Sequence, residues 1–182
     1  MRRTLVQLLA GSALFLMATV SFASPPGLAE AAKGGDMKPP QVAQDKRADI
    51  DALDKDGNTA LTAAAAKGDV DTVKALIKKG ADVNASAKNS DTALILASYN
   101  GNKEIVAELL AHKAFADQAG ENSFTALMLA AFQGHDDIVK LLLEKGATAE
   151  MMTDRGVTAM KAAKAKGYTQ IVDMLKKAGA TY

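Results

Sequence analysis

The sequence contains no cysteine, no tryptophan and only four prolines. Without cysteine the chain has no thiol nucleophile and no thiolate metal ligand, and an N-terminus lipidated through cysteine is excluded. The two histidines, His112 and His135, stand at no metal-ligand spacing from a partner. Phosphate-loop, nucleophile-elbow and zinc-protease motifs are also missing. We therefore expect no enzyme, no cofactor and no metal site.

Neither sign of charge dominates the sequence, which has 22 Lys and Arg against 21 Asp and Glu. A chain so close to neutrality gives no electrostatic reason to expect nucleic acid or an anionic membrane surface as a partner. Aromatic residues are scarce, at 4%. This scarcity fits a core built from alanine and leucine.

What the sequence has in quantity is repetition at an interval of 33 residues. The interval separates three sets of positions: Thr59, Thr92, Thr125 and Thr158; Leu61, Leu94, Leu127 and Met160; and Gly68, Gly101, Gly134 and Gly167. No insertion interrupts it. Such a period predicts stacked supersecondary units rather than one globular core.

Each copy predicts two antiparallel helices. In the third copy, Thr125 is placed to cap a first helix, and Gly134 is placed to end it in the left-handed conformation. Asp136 and Asp137 then open a second helix, where the dipole favours negative charge, and it runs to Gly146. Because the first helix has about two turns, well below the ~12–15 residues of a marginal isolated helix, stability must come from stacking.

The pattern resembles the ankyrin repeat. The residues that carry the resemblance in the first copy are Gly57, Thr59, Leu61, Ala64, Ala65, Gly68, Val73, Leu76, Ile77, Gly80, Ala81, Asp82 and Asn84. The resemblance implies an all-α solenoid of stacked helix-turn-helix units joined by β-hairpin-like loops. Its four repeats would occupy residues 54–86, 87–119, 120–152 and 153–182.

The sequence departs from the family pattern at several positions. Alanine replaces the family's proline in every copy, and Thr62, Ile95, Met128 and Lys161 replace its histidine, which usually ties neighbouring repeats together. Lys164 and Lys176 replace small or apolar residues, which predicts a polar outer face for the last repeat. Lys113 stands where the other copies have glycine after the second helix. We expect that loop to be locally irregular or loose.

The N-terminal part is interpreted in two segments. Residues 1–23 read as a cleaved signal peptide, because Arg2 and Arg3 precede a short apolar stretch and 21–23 has a small-x-small cleavage site. Residues 24–53 are interpreted as a segment that is partly a degenerate capping repeat, since Leu28 and Gly35 fall in register with Leu61 and Gly68. A plain linker is the alternative.

The resemblance also implies where a partner binds, because known binders of this family use the hairpin tips and the exposed ends of the first helices. At these positions lie three apolar anchors, Tyr99, Phe124 and Phe132, and a polar rim of Asn89, Asp91, Asn100, Asn122 and Gln133. Large rigid side chains of this kind are common binding hot spots. The alternative is that Phe124 and Phe132 pack across the repeat junction.

These observations lead to one functional hypothesis. We expect a monomeric, non-catalytic protein–protein interaction module that acts outside the cytoplasm and binds a partner protein through its concave groove. The periplasm is the expected location, with secretion as the alternative, and no membrane insertion is expected once the signal is removed. A structural spacer or stabilising accessory subunit of an envelope assembly is the alternative function.

The signal-peptide interpretation makes a direct prediction. When the full gene is expressed in a Gram-negative bacterium, the mature protein should begin at Ser24, because the cleavage site ends at Ala23. N-terminal sequencing of protein released by osmotic shock checks this result. A chain that keeps Arg2 and Arg3 and stays with the cytoplasmic fraction would contradict it.

Overall fold

The structure is a computed structural model that describes residues 50–181. The predicted signal peptide and nearly all of the predicted N-terminal cap lie outside the described residues, so both stay predictions. Eight α-helices lie within the described part of the chain: α1 Ala60–Lys67, α2 Val70–Lys78, α3 Ala93–Asn100, α4 Lys103–Ala111, α5 Ala126–Gln133, α6 Asp136–Glu144, α7 Ala159–Lys166 and α8 Thr169–Lys177.

The helices form four antiparallel pairs that stack in chain order. Each first helix (α1, α3, α5 and α7) contacts the first helix of the next pair, and each second helix contacts the next second helix. Residues 50–181 contain no strand, only isolated bridges such as Ser86 to Thr92. The predicted all-α solenoid is confirmed. No helix within residues 50–181 is long and apolar enough to cross a membrane.

The predicted helix boundaries follow from the caps. At the N-cap of each first helix, a threonine hydroxyl accepts a hydrogen bond from a backbone N–H of the first turn. Thr59 Oγ1 accepts from Thr62 N at 3.1 Å, and Thr125 Oγ1 accepts from Met128 N at 3.4 Å. Each first helix ends at a glycine in the left-handed conformation, such as Gly134 with φ 82°. The caps that the sequence predicts are therefore the ones observed.

The core is a continuous layer between the stacked pairs. Leu61, Leu94, Leu127 and Met160 are each about 1% exposed, and the small residues Ala65 and Ala131 are fully buried beside them. Small side chains at these positions let neighbouring helices approach closely, and this close packing compensates for the short length of the helices. Ser98, at the same position of the second repeat, is also fully buried, and its hydroxyl has no hydrogen-bond partner within the described residues.

Polar ties also join neighbouring repeats, although the family's usual histidine is absent. Asp51, Asn84 and Asp117, spaced 33 residues apart, each accept a hydrogen bond from a backbone N–H in the following repeat. Their donors are Asp82 N at 3.1 Å, Phe115 N at 2.8 Å and Thr148 N at 2.8 Å. Asp51 stands 33 residues before Asn84 and makes the equivalent bond. Two carboxylates and one amide thus link neighbouring repeats, as the family's histidine usually does.

The second helices are joined by exposed ion pairs. Lys74 Nζ lies 2.6 Å from Glu104 Oε1, and Lys103 Nζ lies 3.1 Å from Asp137 Oδ2. The hydrogen bond to Glu104 raises the pKa of Lys74 above its usual value. Both pairs are solvent-exposed and screened, so they add little to the packing of the core.

The loop after α4 is as regular as its counterparts, and the expectation that Lys113 makes it irregular is wrong. Lys113 takes the left-handed conformation itself, with φ 65°. Lys113 N donates to Leu110 O at 3.2 Å and Ala114 N to Leu109 O at 3.0 Å, the same bonds that Gly146 and Ala147 make one repeat later. The left-handed conformation costs a non-glycine residue about 1–2 kcal/mol. The favourable helix-dipole position of a lysine returns only about 0.3–1 kcal/mol.

This strain predicts that Lys113→Gly stabilises the protein. Relief of the left-handed penalty, less the greater freedom of glycine in the unfolded chain and the lost dipole interaction, should raise the unfolding free energy by up to about 1 kcal/mol. Urea unfolding followed by circular dichroism measures it, with the slope expected to stay constant. Lys145→Gly is the matched control, because Lys145 has φ −94° and should gain nothing. Equal stability of both variants would contradict the strain.

Candidate partner-binding surface

A hollow opens on the described surface between the second and third hairpins and the helices α3 and α5. Its volume is about 290 Å³. We call it the groove hollow, and it is lined by Asp91, Ile95, Leu96, Tyr99, Glu121, Asn122, Phe124 and Leu129. Four of the predicted site residues, Tyr99, Phe124, Asp91 and Asn122, are therefore brought together in one place.

The three predicted anchors occupy different environments. Tyr99 is 42% exposed and Phe132 is 40% exposed, whereas Phe124 is half-buried and packs against the core. Tyr99 and Phe124 line the groove hollow. Phe132 does not line it. The centre of its ring lies 4.3 Å from Lys166 Nζ in the next repeat, a cation–π contact. The hollow thus has two of the three predicted aromatic anchors.

Phe124 also borders a second hollow, of about 270 Å³, between the third and fourth hairpins. Asn122 and Phe124 are shared by the two hollows, and Val157 and Arg155 belong to the second alone. The backbone at Asn122 and Ser123 is left-handed, with φ 55° and 63°. This turn carries Asn122 to an exposed position between the two hollows.

Asp91 and Asn89 are used within the protein to hold hairpins together. Asp91 Oδ1 accepts from Glu121 N at 3.0 Å, and Asp91 Oδ2 accepts from Asn89 Nδ2 at 2.8 Å. Gly120 is required beside them, because a Cβ there would collide with Asp91 Oδ1 and lie 2.8 Å from Ile95 Cδ1. These two predicted rim residues therefore fix the shape of the groove hollow.

Of the three remaining rim residues, one is hydrogen-bonded through its side chain within the part of the chain that the structure describes, and two are not. Asn100 Nδ2 donates to Ala66 O at 3.0 Å, which ties α3 to the preceding repeat. Within the described residues, the side chains of Asn122 and Gln133 form no hydrogen bond to the protein, and Asn122 is exposed while Gln133 is half-buried. Those two amides are the rim groups with donors and acceptors left for a partner.

Comparison with known families identifies the architecture. A family model described as ankyrin repeats in three copies matches residues 28–119 and 113–182, which is most of the chain. The chain belongs to the ankyrin-repeat family. Ankyrin repeats are generally protein–protein interaction modules and are typically non-enzymatic. No curated protein matches the chain.

The two histidines have structural contacts in this ankyrin-repeat chain. His135 Nε2 lies 3.1 Å from Tyr99 O, and the ring covers Gly101, where a Cβ would come within 2.8 Å of it. His112 Nδ1 lies 3.0 Å from Glu108 O at the end of α4. Across residues 50–181, no group of three or more histidine, aspartate and glutamate side chains is placed to hold a metal ion.

The groove hollow is also lined by four residues that are not predicted site residues, namely Leu96, Leu129, Ile95 and Glu121. The ankyrin register carries a signal for two of them. Leu96 and Leu129 are partly exposed, and the equivalent residues of the outer repeats are Ala63 and Ala162. A large apolar side chain at an exposed repeat position, confined to the middle repeats, marks a candidate binding surface.

The bonds of Asp91 predict that it supports the scaffold of the site. Asp91→Ala removes the acceptor of Glu121 N and the 2.8 Å bond from Asn89 Nδ2, so it should lower the unfolding free energy by about 1 kcal/mol. Denaturant unfolding measures the change. Gln133→Ala, which removes no hydrogen bond, is the control and should stay within about 0.5 kcal/mol of the parent. Equal stability of the two variants would return Asp91 to the list of partner contacts.

Proposed function

We propose that this ankyrin-repeat protein is exported to the periplasm and binds a partner protein without catalysis, through the groove hollow. Secretion into the medium is the alternative location. Export rests on the features of residues 1–23 that resemble a signal peptide. Partner binding rests on the family, and the place of binding rests on the composition of the groove.

One observation carries the proposed place of binding. Leu96 and Tyr99 on α3 and Leu129 on α5 present large apolar side chains to the groove, while the same positions of the first and fourth repeats hold Ala63, Ala66, Ala162 and Ala165. The 33-residue scaffold stacks with alanine at these positions, so folding does not require the larger residues. Partly exposed apolar groups gathered at one hollow are typical of an interaction site.

The chemistry of the hollow suits one or two large apolar side chains of a partner. Leu96, Leu129, Tyr99 and Phe124 form its apolar wall, and Asn122 and Glu121 lie on its polar rim. Tyrosine and phenylalanine lose little rotamer entropy on binding, so burial of Tyr99 by a partner would make it an energetic hot spot. The amide of Asn122 would then help to set the orientation of the partner.

The proposal predicts that Leu96→Ala with Tyr99→Ala strongly weakens partner binding and keeps the fold. Both substitutions introduce the residue found in the outer repeats, so helix content should not change. The experiment is affinity capture from an envelope extract with residues 24–182 as bait, followed by measurement of the affinity of the captured protein. We expect the double variant to weaken binding by at least about 30-fold, which corresponds to one hot spot of 2 kcal/mol.

Met152→Ala is the matched control, because Met152 is 64% exposed and lies outside the groove hollow. Its affinity should equal that of the parent. Retention of the partner by the double variant would overturn groove binding. If truncation at either end of the array abolished capture instead, the result would favour a structural spacer of an envelope assembly.

A further inference from the structure

The loop that follows α4 departs from the repeat pattern at two neighbouring positions. The equivalent of Lys113 is glycine in the other three repeats, at Gly80, Gly146 and Gly179. The equivalents of Phe115 are all polar, namely Asp82, Thr148 and Thr181. Both departures fall in the same repeat, and the groove hollow contains neither residue.

Neither departure is explained by the fold. Lys113 keeps the left-handed conformation and the backbone hydrogen bonds of a glycine, so its side chain adds strain without changing the path of the loop. Phe115 is tied to Asn84 through its backbone N–H, a bond that any residue except proline would make. Its side chain is 65% exposed, the largest exposed fraction of any large hydrophobic residue in the described chain.

The two side chains border a shared hollow of about 460 Å³ between the second and third repeats, which we call the back-loop hollow. Leu110, Ala114, Ala116 and Phe115 give it an apolar wall, and Lys113 and Lys145 add two cations. Gly146 leaves open space beside Lys145, since a Cβ there would meet nothing within 4 Å. The hollow is open to solvent, and its lining places the exposed ring of Phe115 near the two cations.

The charge around this hollow is positive. Neither Lys113 nor Lys145 forms a salt bridge within residues 50–181. The one carboxylate of the lining, Asp117, is engaged by Thr148, whose N–H and hydroxyl donate to it at 2.8 Å and 2.6 Å. A ligand with an apolar group and a carboxylate would therefore meet complementary groups.

We propose that the back-loop hollow is a second protein-binding site, which takes a short acidic segment of a partner protein. A large apolar side chain of that segment packs against Phe115, and a neighbouring aspartate or glutamate pairs with Lys113 and Lys145. The lining has two lysines, fewer than the roughly four to eight basic residues typical of a surface that binds anionic lipid, and this favours a protein segment over a bilayer. This site does not depend on the groove, so the chain can hold two partner surfaces at once.

The experiment uses a random peptide library displayed on phage and selected against the exported chain. We expect enriched peptides to share a large apolar residue next to an aspartate or glutamate. Their affinity, measured by fluorescence polarisation, should fall at least about tenfold with Lys113→Gly and Phe115→Thr together. Lys113→Gly alone should weaken binding about threefold and reduce its dependence on salt.

The variant residues are those of the other repeats, so loss of binding cannot come from loss of the fold. Circular dichroism and urea unfolding should show a double variant at least as stable as the parent. The groove variant, Leu96→Ala with Tyr99→Ala, is the matched control and should bind the same peptides with unchanged affinity. Peptides that do not bind this groove variant bind the groove hollow of the parent, and they test the function proposed above instead.

Three results would overturn the second site. The first is a selection that yields no peptide sensitive to Lys113→Gly and Phe115→Thr. The second is a set of sensitive peptides that lack an acidic residue. The third is binding of the parent, and not of the double variant, to vesicles of phosphatidylcholine and phosphatidylglycerol with no peptide selected, which would assign the surface to anionic lipid.

Discussion

The structure depends on the burial of short helices between neighbouring repeats. Each first helix has eight residues, about 12 Å of helix, and helices of that length do not persist alone in water. Leu94 and Leu127 are almost fully buried because a further repeat covers them on both sides. The same stacking requires glycine at Gly134, where the ring of Tyr168 from the next repeat occupies the space a Cβ would need, at 2.7 Å. No repeat is complete without its neighbour.

This dependence separates the residues that build the array from those that are available for binding. Thr92, Leu94 and Gly101 recur because stacking needs them, so they carry no information about a partner. Positions that stacking leaves open vary freely, and large apolar residues there need another reason. Tyr99 and Phe115 are two such residues in the same repeat, one on the groove and one on the loop after α4. The second repeat therefore carries the strongest signals for binding.

Polar residues at the candidate site show why exposure alone does not identify a contact. Asn89, Asp91 and Asn100 stand at positions that binders of this family use, yet their side chains are occupied by hydrogen bonds within the protein. A side chain engaged in this way must break a bond before it contacts a partner, and it then leaves the other group of that bond without its hydrogen-bond partner. Asn122 carries no such bond within the described chain and is the better candidate.

The sequence alone determined the period, the capping residues and the fold class, because Thr125 caps its own helix and Gly134 ends it in the left-handed conformation through local backbone geometry. Tertiary structure decided the rest. It placed Leu96 and Leu129 beside Tyr99, left Phe132 under Lys166, and held Lys113 in a strained but regular loop. These outcomes depend on which side chains of neighbouring repeats meet across the stack. A periodic sequence gives the interval between such residues but not the contacts that their side chains make.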